Sequence, residues 1–388
     1  MTVPAGREPV DQELVGRVRR RLVADAAEPT AENVAAALRL ECGLVDGALV
    51  LDVIDQLRSD SRGFGPLDPV MALPGVTDVL VNGPGAVYVD RGCGLEPADV
   101  RLSDASAVRR LAQRLAAQGG RRLDHASPWV DARLPDGVRL HAVLDPIARP
   151  GPAISLRVPA AGHHGLADLE RLGMVSSAGA QLLRRLVAGR VAFVVSGGTG
   201  AGKTTLLSAL LDASPPTDRV VIVEDSSELR PAHPHVVALE ARPPNVEGAG
   251  QVTMRDLVRQ ALRMRPDRLV VGEVRGGEVV ELLAALNTGH EGGCGTVHAN
   301  SVEDVPARFE ALAMAAGLSR PALHSQLAAG LRVVLHLARD HDGTRRLRQI
   351  GVLTPRPDGV VEPAAAVTYR GSTVIEGPAM HRLSELLS

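Results

Sequence analysis

Residues 196–205, SGGTGAGKTT, carry the densest chemistry in this 388-residue chain. They follow the apolar run VAFVV, open the helix-forming run TTLLSALL, and satisfy G-x-x-x-x-G-K-[ST] over residues 197–204. A loop built this way cradles phosphates. Gly198, Gly200 and Gly202 admit backbone conformations that a Cβ forbids, so the N–H groups of Thr199, Ala201 and their neighbours can converge on one anion. The helix opening through Thr205 adds its partial positive charge, Lys203 reaches the β and γ phosphates, and the Thr204 hydroxyl is placed to ligate Mg²⁺. Lysine occurs once in the chain, at Lys203, and the other 42 of its 43 basic residues are arginine. In a sequence that uses arginine by default, the one compact ammonium falls where a slim point charge is needed.

Carboxylates and imidazoles follow downstream. RLVVGEVRGGE brings Glu273 to the end of an apolar strand, where a carboxylate at the carboxyl edge of a sheet can meet Mg²⁺ or an attacking water. IVEDSSEL places Glu224, Asp225 and Glu228 at the end of another strand, a set suited to water activation and metal holding. His290 and His298 bracket the Gly-rich loop before GTVHAN, and His298 is placed to contact a terminal phosphate. HEGGC departs from the HExxH zinc pattern because residue 294 is Cys, and Gly292 with Gly293 disfavours the helix that pattern requires. An NKxD guanine reader is excluded in a chain with no second lysine, which leaves ATP as the expected nucleotide and Mg²⁺ as its metal.

The elements that must hold these groups can be read from periodicity. Residues 1–62 read as an N-terminal helical segment, and residues 63–158 as a small α/β domain. That domain opens on a hairpin of VTDVLVN and AVYVDRG, continues through a helix capped by Ser103, and ends on the strands WVDARL, VRLHAVL and AISLRV. Prolines and Gly162 thin the pattern into a linker at 159–166. From 167 to 388, VAFVVS, RVVIVE, HVVALE, RLVVGE and GTVHA alternate with helices opening near Ser176, Lys203, Thr253, Gly276 and Val302. Such alternation is the signature of a mostly parallel sheet with helices on both faces, here ending in a C-terminal extension of short strands.

Composition removes several classes. A net charge of −2 argues against a general polyanion binder, and aromatics at 2% are too sparse for a base-stacking platform, so no direct nucleic acid contact is expected. Cys42, Cys93 and Cys294 are too far apart for a zinc knuckle or a disulfide framework, which fits a reducing cytosol. The N-terminus bears charges where a signal peptide needs an apolar run, so a cytoplasmic location is expected.

Taken together, GGTGAGKTTLL, IVEDSSEL, the long block ending in RLVVGEVRGGE, and NTGHEGGCGTVHANS resemble the secretion ATPases of the type II/type IV superfamily, most closely the Tad/CpaF branch of Flp pilus assembly. The resemblance spans residues 63–340 and implies a RecA-like P-loop C-terminal domain with a smaller α/β N-terminal domain. It further implies a homo-hexamer with ATP between the domains. The ring would sit at the inner face of the cell membrane on a polytopic platform protein and act indirectly on pilin or secretion cargo. WVDARLPDGVRLHAV is similar to the family segment that supplies arginines to the nucleotide, which maps onto Arg133 and Arg139, with Arg157 a weaker candidate; Arg263 and Arg275 are candidates for an intersubunit contact. By the same resemblance Glu224 is the base or water-polariser and Glu273 the Mg²⁺ and water partner, two roles that can be exchanged. Departures fall at Ser226-Ser227 and Gly293-Cys294, and Cys294 points to thiol sensitivity. A conjugation or DNA-transfer ATPase of the same superfamily, or a nucleotide-gated scaffold without turnover, is the alternative.

Overall fold

The computed structural model describes residues 12–388 apart from 26, 44, 93, 160, 161, 246, 247, 290, 291, 341, 342 and 372. The chain divides into two compact units, one running to residue 161 and one from residue 162.

The first unit opens with helices α1 (Gln12–Ala24), α2 (Ala31–Cys42) and α3 (Gly47–Arg62), which bury Val15, Val18, Val34, Leu38, Val53 and Ile54 against one another. The Thr30 hydroxyl accepts from the Asn33 N–H and starts α2. After the short α4 (Asp68–Met71) comes an antiparallel sheet of six strands: β1 (Asp78–Asn82), β2 (Val87–Asp90), β3 (Leu95–Pro97), β4 (Trp129–Arg133), β5 (Arg139–Val143) and β6 (Ala153–Arg157), in the order β3-β2-β1-β6-β5-β4. Strand alternation sends Val79, Val81, Leu140, Ala142, Ile154 and Leu156 to one face. There α5 (Ala105–Gln118) covers them with Val108, Leu111 and Leu115. Its cap is Asp104 rather than Ser103: Asp104 is extended, and its carboxylate accepts from the Ala107 N–H three residues on.

The second unit carries α6 (Leu166–Arg171), α7 (Ser177–Ala188), β7 (Phe193–Gly197), α8 (Lys203–Asp212), β8 (Val220–Glu224), β9 (Val236–Glu240), α9 (Met254–Ala261), β10 (Arg268–Val271), α10 (Glu278–Leu286), β11 (Cys294–Val297), α11 (Val305–Ala315), α12 (Arg320–Gly330), β12 (Val333–Arg339), β13 (Arg345–Pro355), β14 (Val361–Arg370), β15 (Thr373–Glu376) and α13 (Met380–Leu386). Nine strands run β15-β14-β13-β12-β7-β11-β10-β8-β9, parallel from β12 to β9 and antiparallel from β12 to β15. Both faces are covered. Phe193 and Val195 join one core with Leu183, Leu206 and Ile222, while Val194 joins the other with Val221, Val271, Leu283 and Phe309. A sheet buried on both sides explains why these strands read as unbroken apolar runs. The second unit is thus a mostly parallel α/β sheet with helices on both faces, as the RecA-like expectation requires.

Three boundaries differ from the sequence reading. β10 stops at Val271, so Glu273 lies on the loop two residues beyond the strand, and α10 and α11 begin at Glu278 and Val305 rather than near Gly276 and Val302. The C-terminal extension is not made of short strands alone: β13 and β14 have 11 and 10 residues and extend the main sheet. A register shift between Ile350 and Gly351 interrupts their alternation, and that hides them from a period-2 search.

Candidate functional site

The cradle begins where β7 ends. Gly197, Gly200 and Gly202 have φ of 152°, 71° and 92°, and a Cβ at Gly197 would lie 2.5 Å from the Leu337 carbonyl oxygen of the adjacent strand. Gly198, Thr199 and Gly200 face solvent, Ala201 is buried, and Thr204 and Thr205 are half-buried on the first turn of α8. That helix starts at Gly202, which has no side chain to cap it, and among the described residues no side-chain cap hydrogen bond closes its first turn. An anion is the group that completes such a terminus, and the loop fits a polyphosphate.

Lys203 is 8% exposed. Its Nζ donates to the Gly197 and Gly198 carbonyls at 3.1 and 3.0 Å and stands 3.4 and 3.5 Å from Nδ1 and Nε2 of His298. Burial pulls its pKa below the usual lysine value, against the attraction of Glu273. His298 Nε2 reaches Glu273 Oε1 at 2.7 Å, and Arg275 pairs with the other carboxylate oxygen. Burial and the neighbouring Lys203 charge lower the His298 pKa, which favours the neutral ring. The post-strand loop is itself held: Glu278, 6% exposed, accepts from the N–H groups of Arg275 and Gly276 at 2.6 and 2.7 Å. Thr296 on β11 ties the same segment down by donating to the Gly272 carbonyl at 2.6 Å.

Glu224 closes β8 one strand away. It is 4% exposed, and its Oε1 accepts from the N–H groups of Glu228 and Leu229 at 3.1 and 3.0 Å, while Oε2 has no partner among the described residues. Only glycine fits beside it, since a Cβ at Gly272 would sit 2.4 Å from Glu224 Cγ. Burial pushes this carboxyl up to about 7, against the two hydrogen bonds that favour its charged form. Asp225 and Glu228 are exposed. For Mg²⁺ the available donors are oxygens, the Thr204 hydroxyl and the Glu273 and Glu224 carboxylates. Among the described residues no cluster of three His, Cys, Asp or Glu forms a protein-only cage. One or two protein oxygens completed by phosphate is the way Mg²⁺ is commonly held, so the donor set fits.

Arg133 and Arg139 belong to the first unit. Strand register sets them opposite each other across β4 and β5, and Arg139 opposite Arg157 across β5 and β6. Arg157 in turn meets Asp78 at 3.5 Å. Register thus lines up the three arginines that the sequence singled out across adjacent strands of this sheet. His290 lies outside the described residues. Cys294 is 2% exposed and its thiol is pushed up to about 12 by burial, which corrects the expectation of thiol sensitivity. Sequence reasoning missed Glu278, Thr296 and the Ser196–His336 hydrogen bond of 2.9 Å, because each acts through backbone or through a strand neighbour far away in sequence.

A family model described as Type II/IV secretion system protein matches residues 60–379. The chain belongs to that family. A relative of this secretion ATPase superfamily member, a putative conjugal transfer protein of Mycobacterium tuberculosis (strain ATCC 25618 / H37Rv), is 58% identical over 310 residues, covering 78% of this chain and 88% of that one. The probable conjugal transfer protein TrbB of Sinorhizobium fredii (strain NBRC 101917 / NGR234) is 33% identical over 283 residues, covering 71% and 82%. Among solved structures, the Yersinia pseudotuberculosis ATPase DotB superposes on the type II/IV chain with a TM-score of 0.52 at 16% identity, over 89% of this chain and 83% of that one, a likeness of fold.

Proposed function

We propose that this chain is an ATP-hydrolysing motor that works as a homo-hexameric ring and powers pilus assembly or protein secretion through a polytopic platform protein at the inner face of the cell membrane. The observation that carries the hydrolytic part is the chain's one lysine, held on two carbonyls of the cradle and joined through His298 to Glu273. In this reading Gly198, Thr199, Gly200, Ala201, Gly202, Lys203, Thr204 and Thr205 wrap the phosphates. Lys203 exchanges its carbonyl partners for terminal phosphate oxygens, and neutral His298 contacts the terminal group. Glu224, with a pKa near neutrality and a free oxygen, takes the proton of the attacking water, and Glu273 orients that water and shares the metal with Thr204. Mg²⁺ supplies charge neutralisation on the transferring phosphoryl group. In the same reading Arg133 and Arg139, of the first unit, add positive charge to the transferring group.

Purified chain with Mg²⁺ is expected to release phosphate from ATP. Lys203→Ala should lower turnover by about 10²–10³-fold; hydrolysis at the wild-type rate in that variant sinks the assignment. A second reading, a conjugal transfer motor, is favoured by the names of the relatives at 58% and 33% identity. The net charge of −2 and aromatics at 2% speak against the chain touching DNA itself. Stimulation of hydrolysis by DNA would decide for direct handling. Among the described residues no helix is long and apolar enough to cross a membrane.

A further inference from the structure

The sheet order gives the cradle two sides. On one side of β7 come β11, β10 and β8, with His298, Glu273 and Glu224 at or just past their carboxyl ends. On the other, β12 runs parallel to β7 with Leu337 opposite Gly197, continues to Arg339 and returns as β13, so the hairpin extends past the carboxyl edge of β7. Arg345 stands opposite Arg339 on that extension and is exposed. Its stem lies on the last glycine of the cradle: a Cβ at Gly202 would sit 3.3 Å from Arg345 Cδ and 2.4 Å from Met174 Cε. Met174 is 6% exposed and its carbonyl accepts the N–H of Leu347, two residues along from Arg345, so β13 holds both side chains against Gly202. The neighbouring Arg346 and Arg348 both pair with Asp340.

Lys203 Nζ, on the Gly197 and Gly198 carbonyls and against His298, marks the end of the cradle for a terminal phosphate. With the terminal phosphate at that end, as in the reading above, the Gly202 end of the cradle, beside the β12–β13 hairpin, is left for the rest of the ligand. We propose that Arg345, its stem seated on Gly202 beside Met174, forms the nucleoside side of the site and stacks its guanidinium plane on the base of the bound nucleoside triphosphate. This rests on the nucleotide reading above and deepens it. A planar guanidinium is attracted to the face of an aromatic base, and a thioether at its flank adds a polarizable contact. Stacking of this kind accepts any base, so Arg345 distinguishes a nucleotide from a bare polyphosphate without distinguishing ATP from GTP.

Calorimetric titration of the full chain with Mg²⁺-ATP, Mg²⁺-GTP and Mg²⁺-tripolyphosphate tests this. Arg345→Ala is expected to weaken ATP and GTP about tenfold each and tripolyphosphate by less than about twofold. Arg345→Lys keeps the charge without the plane and is expected to behave as Arg345→Ala. Equal weakening of all three ligands, wild-type affinity in Arg345→Lys, or no change in either variant overturns the proposal. Thermal unfolding should be unchanged, as for an exposed side chain, and a large drop in melting temperature would instead make Arg345 a structural residue. A wild-type chain that binds tripolyphosphate but no nucleotide overturns this subsite alone, whereas one that binds neither overturns the nucleotide reading with it.

Discussion

Glu224 meets two opposed demands. Its Oε1 holds the turn after β8 through two backbone N–H groups, yet burial makes its charge costly and moves its pKa from 4.5 to about 7. Below 4.5 the carboxyl is protonated in folded and unfolded chains alike. Between 4.5 and about 7 the folded chain keeps a proton that the unfolded chain has lost, so folding stability falls as pH rises through that window and the whole penalty is present above it. The shift corresponds to about 3 kcal/mol. Glu224→Gln preserves the Oε1 acceptor and removes the charge, so in urea unfolding the variant should gain on wild type from pH 5 to pH 8 by an amount of that order. A difference between the two proteins that does not change with pH would show that Glu224 is not buried as described. The same variant should lose turnover if Glu224 is the base; if Glu224→Gln and Glu273→Gln both retain full activity, the base lies elsewhere.

At the level of elements, the cradle depends on one glycine conformation, while a buried charge cluster at the other edge of the sheet supports the fold without touching the cradle. Gly202 has φ of 92° with Met174 Cε over it, so Gly202→Ala should cost about 1–2 kcal/mol in left-handed strain and weaken nucleotide binding as well; unchanged stability and binding would mean the loop adapts freely. At the opposite edge of the sheet Arg268, 1% exposed and opening β10, meets Asp218 at 2.7 Å and donates to the Val187 carbonyl at the end of α7, while Arg190 reaches the same carboxylate at 2.5 Å. Asp218→Ala strands the Arg268 charge and should lower stability by about 3–5 kcal/mol in chemical unfolding, while ATP affinity of the chain that remains folded stays near wild type. Loss of affinity without loss of stability would contradict the separation of these two edges. The cradle and the strands β7 to β11 were legible in sequence because each strand is a short apolar run bounded by turn residues, and α7 and α9 because Ser176 and Thr253 are local caps; α10 and α11, which have no side-chain cap, were placed two to three residues early. Glu278 and Thr296 were not legible, since a carboxylate that accepts from backbone two and three residues upstream, and a hydroxyl that donates to another strand, leave no pattern of residue types. The pairing of Arg133 with Arg139 is intermediate: the arginines stand out in the segment, but only register shows that they face each other.

For the whole molecule, the division at residue 161 separates two kinds of contribution. Every group assigned to holding phosphates, from Gly198 to His298, lies in the second unit, which has a core on each face of its own sheet. Residues 162–388 made alone should therefore fold cooperatively and still bind Mg²⁺-ATP, raising the melting temperature on saturation as any ligand of the folded state does. The arginines that would neutralise the transferring phosphoryl group are Arg133 and Arg139, in the first unit, and their loss should slow turnover by about 10³-fold or more if they act as arginine fingers do. Arg133→Ala in the full chain should reproduce part of that loss with a change in stability of about 1 kcal/mol or less, as for a half-buried side chain outside the core. Turnover by the isolated second unit at the full-length rate would remove the first unit from the chemistry and leave it a structural or docking role.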